Sequence, residues 1–319
     1  MTDPPTDVTD IAPAPSSEVP RSRAGASLRA YLEPRRQRVD RGLADFLGFG
    51  GRRPLELHAA MRYAVLGDGK RLRPILCIAG AEICGGGMED VLPTACALEL
   101  IHACSLVHDD LPALDGDELR RGQPSCHARF GPGIALLAGD ALFSQAFELL
   151  VEQRRLSGAS RTLDALAVIT GATGTDGMVA GQVEDMLHEG KPGDEVTLEF
   201  IHTRKAGALI RAALVCGGLL VGGDETRIAA LGACGGALGH AFQVVDDILG
   251  ESGDAAALGK PVGADRQRGK LTYPALLGLE RSWVVAGRLV DEALEAVAGL
   301  GPAAEPLREL ARYVLERAR

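Results

Sequence analysis

Residues 98–122, LELIHACSLVHDDLPALDGDELRRG, contain the strongest signals for the fold. Seven of the first ten residues are apolar and none is glycine or proline, so they predict a buried helix. Five acidic side chains follow within residues 108–118, and then the pair Arg120 and Arg121. Because unpaired carboxylates are costly to bury, an acidic cluster joined directly to a buried helix requires cations beside it.

Apolar residues recur at helical spacing along the rest of the chain. In residues 28–48 they form one stripe, composed of Leu28, Tyr31, Leu32, Val39, Leu43 and Leu47. Alternating strand patterns are rare, aromatic residues are only 4% of the chain, and no linker rich in Pro, Gly or Ser follows residue 25. We predict an all-α fold, a single bundle of roughly ten helices around a central apolar cavity over residues 25–319, after a disordered tail at 1–24.

Composition limits the classes of function. The net charge of -9 argues against nucleic acid as the main partner. The seven cysteines include no CxxC pair, so neither a zinc site nor a disulfide framework is indicated. The N-terminus lacks the features of a signal peptide, and no uninterrupted apolar run is long enough to span a bilayer. These features predict a cytoplasmic protein with reduced thiols.

A second aspartate pair repeats the pattern of the first. HACSLVHDD (102–110) and HAFQVVDD (240–247) both end an apolar helix in two aspartates. A single pair of this kind is usually a solvated helix cap, but two pairs after apolar helices favour a metal site. The spacing does not fit an EF-hand loop. Carboxylates without His or Cys partners favour Mg²⁺, which completes its coordination with water and substrate phosphate.

Basic residues predict the substrate group. GDGKRLRP (67–74) places three cations between a glycine turn and a proline, and no P-loop is present. His102 lies seven residues before Asp109, on the same face of the predicted helix. The cations considered are Lys70, Arg71, Arg73, Arg120, Arg121, Lys205, Lys260 and Lys270. Basic runs are ordinarily solvated surfaces, but together with the aspartates these predict a diphosphate bridged by magnesium and by Arg or Lys.

The sequence resembles the trans-isoprenyl diphosphate synthases, the polyprenyl synthetase family, over residues 27–319. The resemblance rests on GKRLRP, IHACSLVHDDLPALDGDELRRG, LAGDAL, GQVEDM, HTRKAGALI, FQVVDDILG and LGKPVGADRQRGKLTYPALLGLE, which occur in the family's order. It implies an isoprenoid synthase fold, a homodimer, and condensation of isopentenyl diphosphate with an allylic diphosphate. The four residues between the first aspartate pair and the next aspartate resemble short-chain synthases of bacteria and plants.

The resemblance also implies roles for the aspartates. Asp109, Asp115 and Asp246 would hold Mg²⁺, three ions in all, that bridge the allylic diphosphate. Asp110 and Asp247 would support them.

Two further groups of residues receive substrate roles from the resemblance. Arg120 and Lys205 would hold the allylic diphosphate, with Gln243 beside it and Lys260 closing over the leaving group. The diphosphate of isopentenyl diphosphate would be bound by the remaining set: Lys70, Arg73, His102 and Arg121.

Four positions depart from the family pattern. Gly250 replaces the last aspartate of the second motif, Ala206 replaces a threonine, Ala264 replaces a lysine, and Asp68 replaces a glycine. A class I terpene cyclase stays an alternative, although such enzymes have aromatic-rich cavities and no need of the isopentenyl-binding set. A non-catalytic synthase subunit is a further alternative. Such subunits typically lack the first aspartate motif, which is complete here, but the departures at Gly250 and Ala206 keep this alternative open.

Product length is predicted from the residues one turn below Asp109. Relatives that make farnesyl diphosphate tend to carry Tyr or Phe where this chain has Cys104, and neither Cys104 nor Ser105 is bulky. This predicts geranylgeranyl diphosphate as the main product, with farnesyl diphosphate as the alternative. One alternative is that Cys104 is only a packed core thiol, which free cysteines are more often than not. Another is that a bulky residue from a neighbouring helix closes the tunnel.

Overall fold

The computed structural model describes residues 23–252 and 263–316. Helix α1 (Arg23–Phe46) includes the last two residues of the predicted N-terminal tail, and the rest of that tail lies outside the described residues. The stripe predicted for this helix is confirmed in the core, because Leu28, Val39 and Leu43 are all buried.

The described chain is almost entirely helical, as predicted. After α1 the elements are α2 (Leu55–Leu66), α3 (Leu72–Ile83), α4 (Met88–Asp109), α5 (Cys126–Phe130), α6 (Pro132–Ser157), α7 (Ala159–Thr173), α8 (Met178–His188), α9 (Glu195–His202), a π-helical turn (Thr203–Gly207), α10 (Ala208–Leu220), α11 (Glu225–Ser252), α12 (Ala264–Arg268), α13 (Tyr273–Leu277), α14 (Leu279–Ala296), a 3₁₀ turn (Pro302–Ala304) and α15 (Glu305–Glu316). There are more helices than the roughly ten predicted, because several are short.

A two-stranded hairpin interrupts the helices after the first aspartate motif. Strands β1 (Leu119–Arg120) and β2 (Gln123–Pro124) pair antiparallel, with Leu119 opposite Pro124. Alternating patterns could not predict strands of two residues. The hairpin places Arg121 at its turn, where a positive φ of 54° is adopted.

Glycines let the central helices approach closely. A Cβ at Gly80 of α3 would lie 2.2 Å from the carbonyl oxygen of Leu214, and one at Gly217 of α10 would lie 1.9 Å from that of Cys77. Neither distance is possible for a real side chain, so α3 and α10 cross backbone to backbone. This contact fixes the position of α3, which begins directly after the GKR segment.

Among the described residues, three helices are long and apolar enough to cross a membrane by length and composition: α4, α6 and α11. Polar residues interrupt the apolar runs in each of them, so the sequence analysis did not predict a span. The most apolar window is 72% buried within the protein in α4, 56% in α11 and 39% in α6. Packing in the core thus accounts for the apolar character of α4 better than for that of α6.

Candidate active site

The first aspartate motif bends back on itself at the end of α4. The backbone N–H of Asp115 donates to the carbonyl oxygen of Asp109 at 2.8 Å, which brings these two residues together. Asp110 takes a different direction, because its buried carboxylate accepts hydrogen bonds from Arg120, including Nε at 3.1 Å. Adjacent aspartates in the sequence therefore have different roles: Asp110 orders the hairpin arginine, and Asp109 stays with Asp115.

Burial and neighbouring cations act in opposite directions on these carboxyls. Burial raises the pKa of Asp109, and the nearby Asp115 adds to the rise while Lys205 opposes it. Burial also favours the protonated form of Asp115, but Lys270 and Lys205 outweigh it and hold the pKa of Asp115 below its usual value. The two carboxyls are thus partly dehydrated, and at Asp115 the positive charge of the two lysines outweighs the effect of burial.

Two lysines reach this motif from later parts of the chain. Lys270 Nζ lies 3.0 Å from Asp115 Oδ1, and Lys205 Nζ lies 2.7 Å from Asp185 Oδ2. Asp185 also lies 3.9 Å from Lys270 Nζ, so it links the two ammonium groups. We did not predict a role for Asp185, although the GQVEDM motif contains it, and Lys270 was considered only as a cation. A third cation, Arg268, pairs with Asp117 and lies 3.5 Å from Asp115.

The π-helical turn positions Lys205 against α8. A Cβ at Gly181 would lie 2.3 Å from the backbone N of Lys205 and 2.8 Å from its Cα. Only glycine allows this approach, and Asp185 follows one turn later on the same helix. The Lys205–Asp185 contact therefore depends on a backbone-to-backbone contact.

The second aspartate motif lies in the last third of α11. Asp247 is nearly buried; its Oδ2 accepts the backbone N–H of Tyr273 at 2.9 Å and lies 3.3 Å from His202 Nε2. Burial raises the pKa of Asp247 well above its usual range. Asp246 and Gln243 are only half-buried. Asp247 is thus held by contacts inside the protein, and its neighbour Asp246 is partly buried as well.

The missing carboxylate at Gly250 has a neighbour that could replace it in space. A Cβ at Gly250 would lie 3.1 Å from Asp265 Oδ2, and the N–H of Gly263 donates to the Gly250 carbonyl at 2.9 Å. The negative charge of Asp265 also raises the pKa of Asp247, so Asp265 interacts electrostatically with the second motif. Asp265, in α12, thus places a carboxylate beside the position at which α11 lacks one.

The predicted isopentenyl-binding residues meet where α3, α4 and the hairpin come together. Burial lowers the pKa of Arg73 to about 10, although Glu99 and Asp246 oppose the shift. Burial, and after it Arg73 and Arg121, lowers the pKa of His102 well below its usual range, so this imidazole is neutral. Arg73 Nε is buried without a hydrogen-bond partner in the described structure.

Backbone strain is concentrated at the same place. Within residues 23–252 and 263–316, the non-glycine residues with positive φ are Arg71, at 50°, and Arg121, at 54°. Such conformations persist only where surrounding contacts enforce them, and they tend to occur at functional sites. Arg121 donates to the carbonyl oxygen of Asp68, which joins the hairpin to the segment containing Lys70.

The predicted product-length residues lie on α4 below Asp109. Cys104 is buried, its Sγ lies 3.9 Å from His108 Nδ1, and burial raises the pKa of its thiol to about 12. Ser105 is half-buried and donates to the carbonyl oxygen of His102 at 2.9 Å. Lys260, predicted to close over the leaving group, lies outside the described residues.

The donors fit Mg²⁺ better than any softer metal. The carboxylates Asp109, Asp115 and Asp246 offer only oxygen ligands, which hard cations such as Mg²⁺ prefer. In the described parts of the chain, no three acidic, His or Cys side chains cluster closely enough to enclose an ion. Within the described residues, the predicted metal ligands therefore do not form a closed site by themselves.

Comparisons with known proteins agree with this geometry. The sequence profile of the family described as Polyprenyl synthetase matches residues 54–297. A dimethylallyltranstransferase of Fischerella ambigua is 42% identical over 297 residues, which cover 93% of this chain and 85% of the relative. Geranylgeranyl pyrophosphate synthase 7 of Arabidopsis thaliana, a chloroplastic protein, is 44% identical, with 83% of this chain and 78% of the relative covered.

Solved structures show the same relationship. The apo crystal structure of an FPP/GFPP synthase from Zymomonas mobilis superposes with a TM-score of 0.81 at 34% identity, covering 91% of this chain and 99% of that one. A geranyltransferase from Legionella pneumophila gives a TM-score of 0.81 at 30% identity, with 92% and 98% covered. The family match and these relatives show that the chain belongs to the polyprenyl synthetase family and is a trans-prenyltransferase.

Proposed function

We propose that this enzyme condenses isopentenyl diphosphate with an allylic diphosphate and that its main product is geranylgeranyl diphosphate. The observation that carries the proposal is the buried, unpartnered Nε of Arg73 beside neutral His102 and the hairpin arginine Arg121. A buried guanidinium donor without a partner is costly, and a diphosphate oxygen would satisfy it. Lys70, exposed on the same segment, completes the binding set.

The allylic diphosphate occupies the other half of the site in this proposal. Asp109 and Asp115 on one side and Asp246 on the other would hold three Mg²⁺ ions, and bound Mg²⁺ would neutralise charge on the diphosphate leaving group. Lys205 contributes positive charge from the π-helical turn, and Lys270 does so beside Asp115. Without substrate, these lysines neutralise the carboxylates of Asp185 and Asp115, which would otherwise repel one another.

Arg120 and Gln243 belong to this half by family resemblance. Arg120 supports such a role with its partly exposed guanidinium beside Asp110, and Gln243 is half-buried on α11 one turn before Asp247. Lys260 stays in the proposal as the residue that closes over the leaving group.

The reaction requires little covalent chemistry from the protein. The allylic carbon–oxygen bond breaks, and its electron pair leaves with the diphosphate. The double bond of isopentenyl diphosphate then attacks the allylic cation, a carbon–carbon bond forms, and a proton is lost to the departing diphosphate. Arg73, His102 and Arg121 orient the attacking substrate, while the apolar interior keeps water from the cation.

The small residues on α4 below Asp109 favour geranylgeranyl diphosphate over farnesyl diphosphate as the product. The apolar tail would extend along α4 below Asp109, past Ser105 and Cys104, neither of which has the bulk of an aromatic ring. Burial of Cys104 shows that this part of α4 faces the interior. Relatives named geranylgeranyl pyrophosphate synthase, at 40–46% identity, give the same preference.

A homodimer belongs to the same proposal. Helices α6 and α7 expose large apolar side chains, namely Leu136, Leu137, Val151, Leu156 and Leu163. Monomeric soluble proteins rarely leave such a surface open. The low burial of α6 is consistent with a partner copy that covers this surface. We further propose a cytosolic location, which the seven free cysteines support.

Incubation with labelled isopentenyl diphosphate, dimethylallyl diphosphate and Mg²⁺ tests the proposal. After dephosphorylation, chromatography should show geranylgeraniol as the main product. Farnesol alone would correct the product length. Cyclic hydrocarbons from geranylgeranyl diphosphate alone would indicate a terpene cyclase, and no product at any Mg²⁺ concentration would indicate a non-catalytic subunit.

A further inference from the structure

The middle cation of the GKRLRP segment has no substrate role in the proposed function. Arg71 is only 5% exposed, whereas its neighbour Lys70 is exposed. Its Nε donates to Asp40 at 2.7 Å, its Nη1 to Glu99 at 3.0 Å, and its Nη2 to the carbonyl oxygen of Gly67 at 2.8 Å. All three guanidinium nitrogens thus have partners inside the protein, so Arg71 is not available to a diphosphate.

Glu99 is the buried partner of this arginine. It lies on α4, three residues before His102 and on the same face of the helix. Its Oε1 accepts from Arg71, and its Oε2 is buried without a partner in the described structure. Its charge also acts on Arg73 and Arg121, raising both pKa values against the lowering caused by burial. Glu99 is therefore a carboxylate directly behind the proposed diphosphate site.

The backbone of Arg71 determines where the substrate-binding cations begin. Its φ of 50° and ψ of 37° place it in the left-handed region, at the N-cap of α3. Lys70 precedes it and Arg73 follows in the first turn of the helix. A Cβ at Gly69 would lie 2.5 Å from Arg71 Nη1 and 3.0 Å from Arg121 Nη1, so glycine is needed for both guanidinium groups to fit.

We propose that Arg71, through its buried ion pair with Glu99, is a positioning residue for isopentenyl diphosphate; this inference rests on the proposed function. The ion pair joins the start of α3 to α4 and thereby holds Lys70 and Arg73 opposite His102. It also occupies Glu99, which would otherwise pair with Arg73 or Arg121 and compete with the diphosphate. Asp40 extends the same link to α1.

The test is steady-state kinetics of Arg71→Met with each substrate varied in turn. We expect the KM for isopentenyl diphosphate to rise about tenfold, the effect of losing one charge-assisted contact, while the KM for the allylic substrate stays within about twofold. Adding Glu99→Gln should bring the first KM back toward the wild-type value, because no carboxylate is then left to capture Arg73. A general structural defect would move both KM values together.

Two further variants distinguish a loss of positioning from misfolding. Arg71→Lys keeps a charge beside Glu99 but cannot make all three contacts, so the KM for isopentenyl diphosphate should rise about threefold, again without a change for the allylic substrate. Arg35→Met is the matched control, because Arg35 forms a comparable ion pair between α1 and α3 with Glu82 at 2.6 Å. It should leave both KM values unchanged.

The outcomes separate this inference from the proposed function. Wild-type protein that makes no prenyl product would overturn the proposed function. Active wild-type protein would overturn only the positioning role if Arg71→Met and Arg71→Lys left the KM for isopentenyl diphosphate unchanged, or raised both KM values equally. Failure of Glu99→Gln to improve Arg71→Met would refute the shielding of Arg73.

Discussion

Replacing Gly181 by alanine should damage both stability and catalysis, because the new Cβ would meet backbone rather than a movable side chain. The closest atoms are the N of Lys205 at 2.3 Å and its Cα at 2.8 Å. Relief requires α8 or the π-helical turn to shift by about 1 Å. Overpacking of this kind typically costs about 1–3 kcal/mol.

The loss can be measured as a melting temperature and as turnover. At about 2–4 °C per kcal/mol, the midpoint of thermal unfolding should fall by roughly 2–12 °C. Asp185 lies one turn beyond Gly181, so the 2.7 Å contact with Lys205 would be lost, and a 1 Å displacement in an active site can cost about 100-fold in rate. Circular dichroism melts and turnover under saturating substrates report the two effects separately.

Gly287 provides a matched control within α14. A Cβ there meets nothing within 4 Å, so Gly287→Ala should stabilise the helix by up to about 1 kcal/mol and leave turnover unchanged. If Gly181→Ala melted at the wild-type temperature and kept its turnover, the close contact between α8 and the π-helical turn would be wrong. The proposed position of Lys205 would then be wrong as well.

Three further predictions follow from the proposed site. Asp109→Ala should reduce turnover by orders of magnitude while the helical circular dichroism spectrum stays intact; undiminished turnover would remove Asp109 from the metal site. Cys104→Tyr should shift the product from geranylgeranyl to farnesyl diphosphate in chromatography, because an aromatic ring would block extension along α4, and an unchanged product would place the floor of the tunnel elsewhere. Leu137→Glu should halve the mass found by light scattering at micromolar concentration, because it introduces charge into the exposed apolar surface of α6. A monomer mass for the wild-type protein would contradict the dimer itself.

Much of the site could be predicted because its residues lie next to strong local signals. The aspartate pairs directly follow apolar helices, and the GKRLRP segment combines a glycine turn with three cations. Asp185 was missed because an acidic residue on an amphipathic helix is ordinarily solvent-exposed. Its contact with Lys205 results from the packing of α8 against the π-helical turn, which the sequence did not predict. His202 was missed for a similar reason: its contact with Asp247 joins elements 45 positions apart in the sequence.

The helical fold and the two aspartate motifs could be predicted from the sequence, because helical periodicity and motif spacing depend on residues within a few turns of one another. The contacts that distinguish neighbouring charged residues depend instead on tertiary packing. Arg71 is buried against Glu99 and Asp40, residues 28 and 31 positions away, while Lys70 is exposed. Asp110 likewise pairs with Arg120, while Asp109 stays beside Asp115. A charged side chain is buried only where other helices bring partners to it, and the local sequence does not show which residues from distant helices will lie beside it.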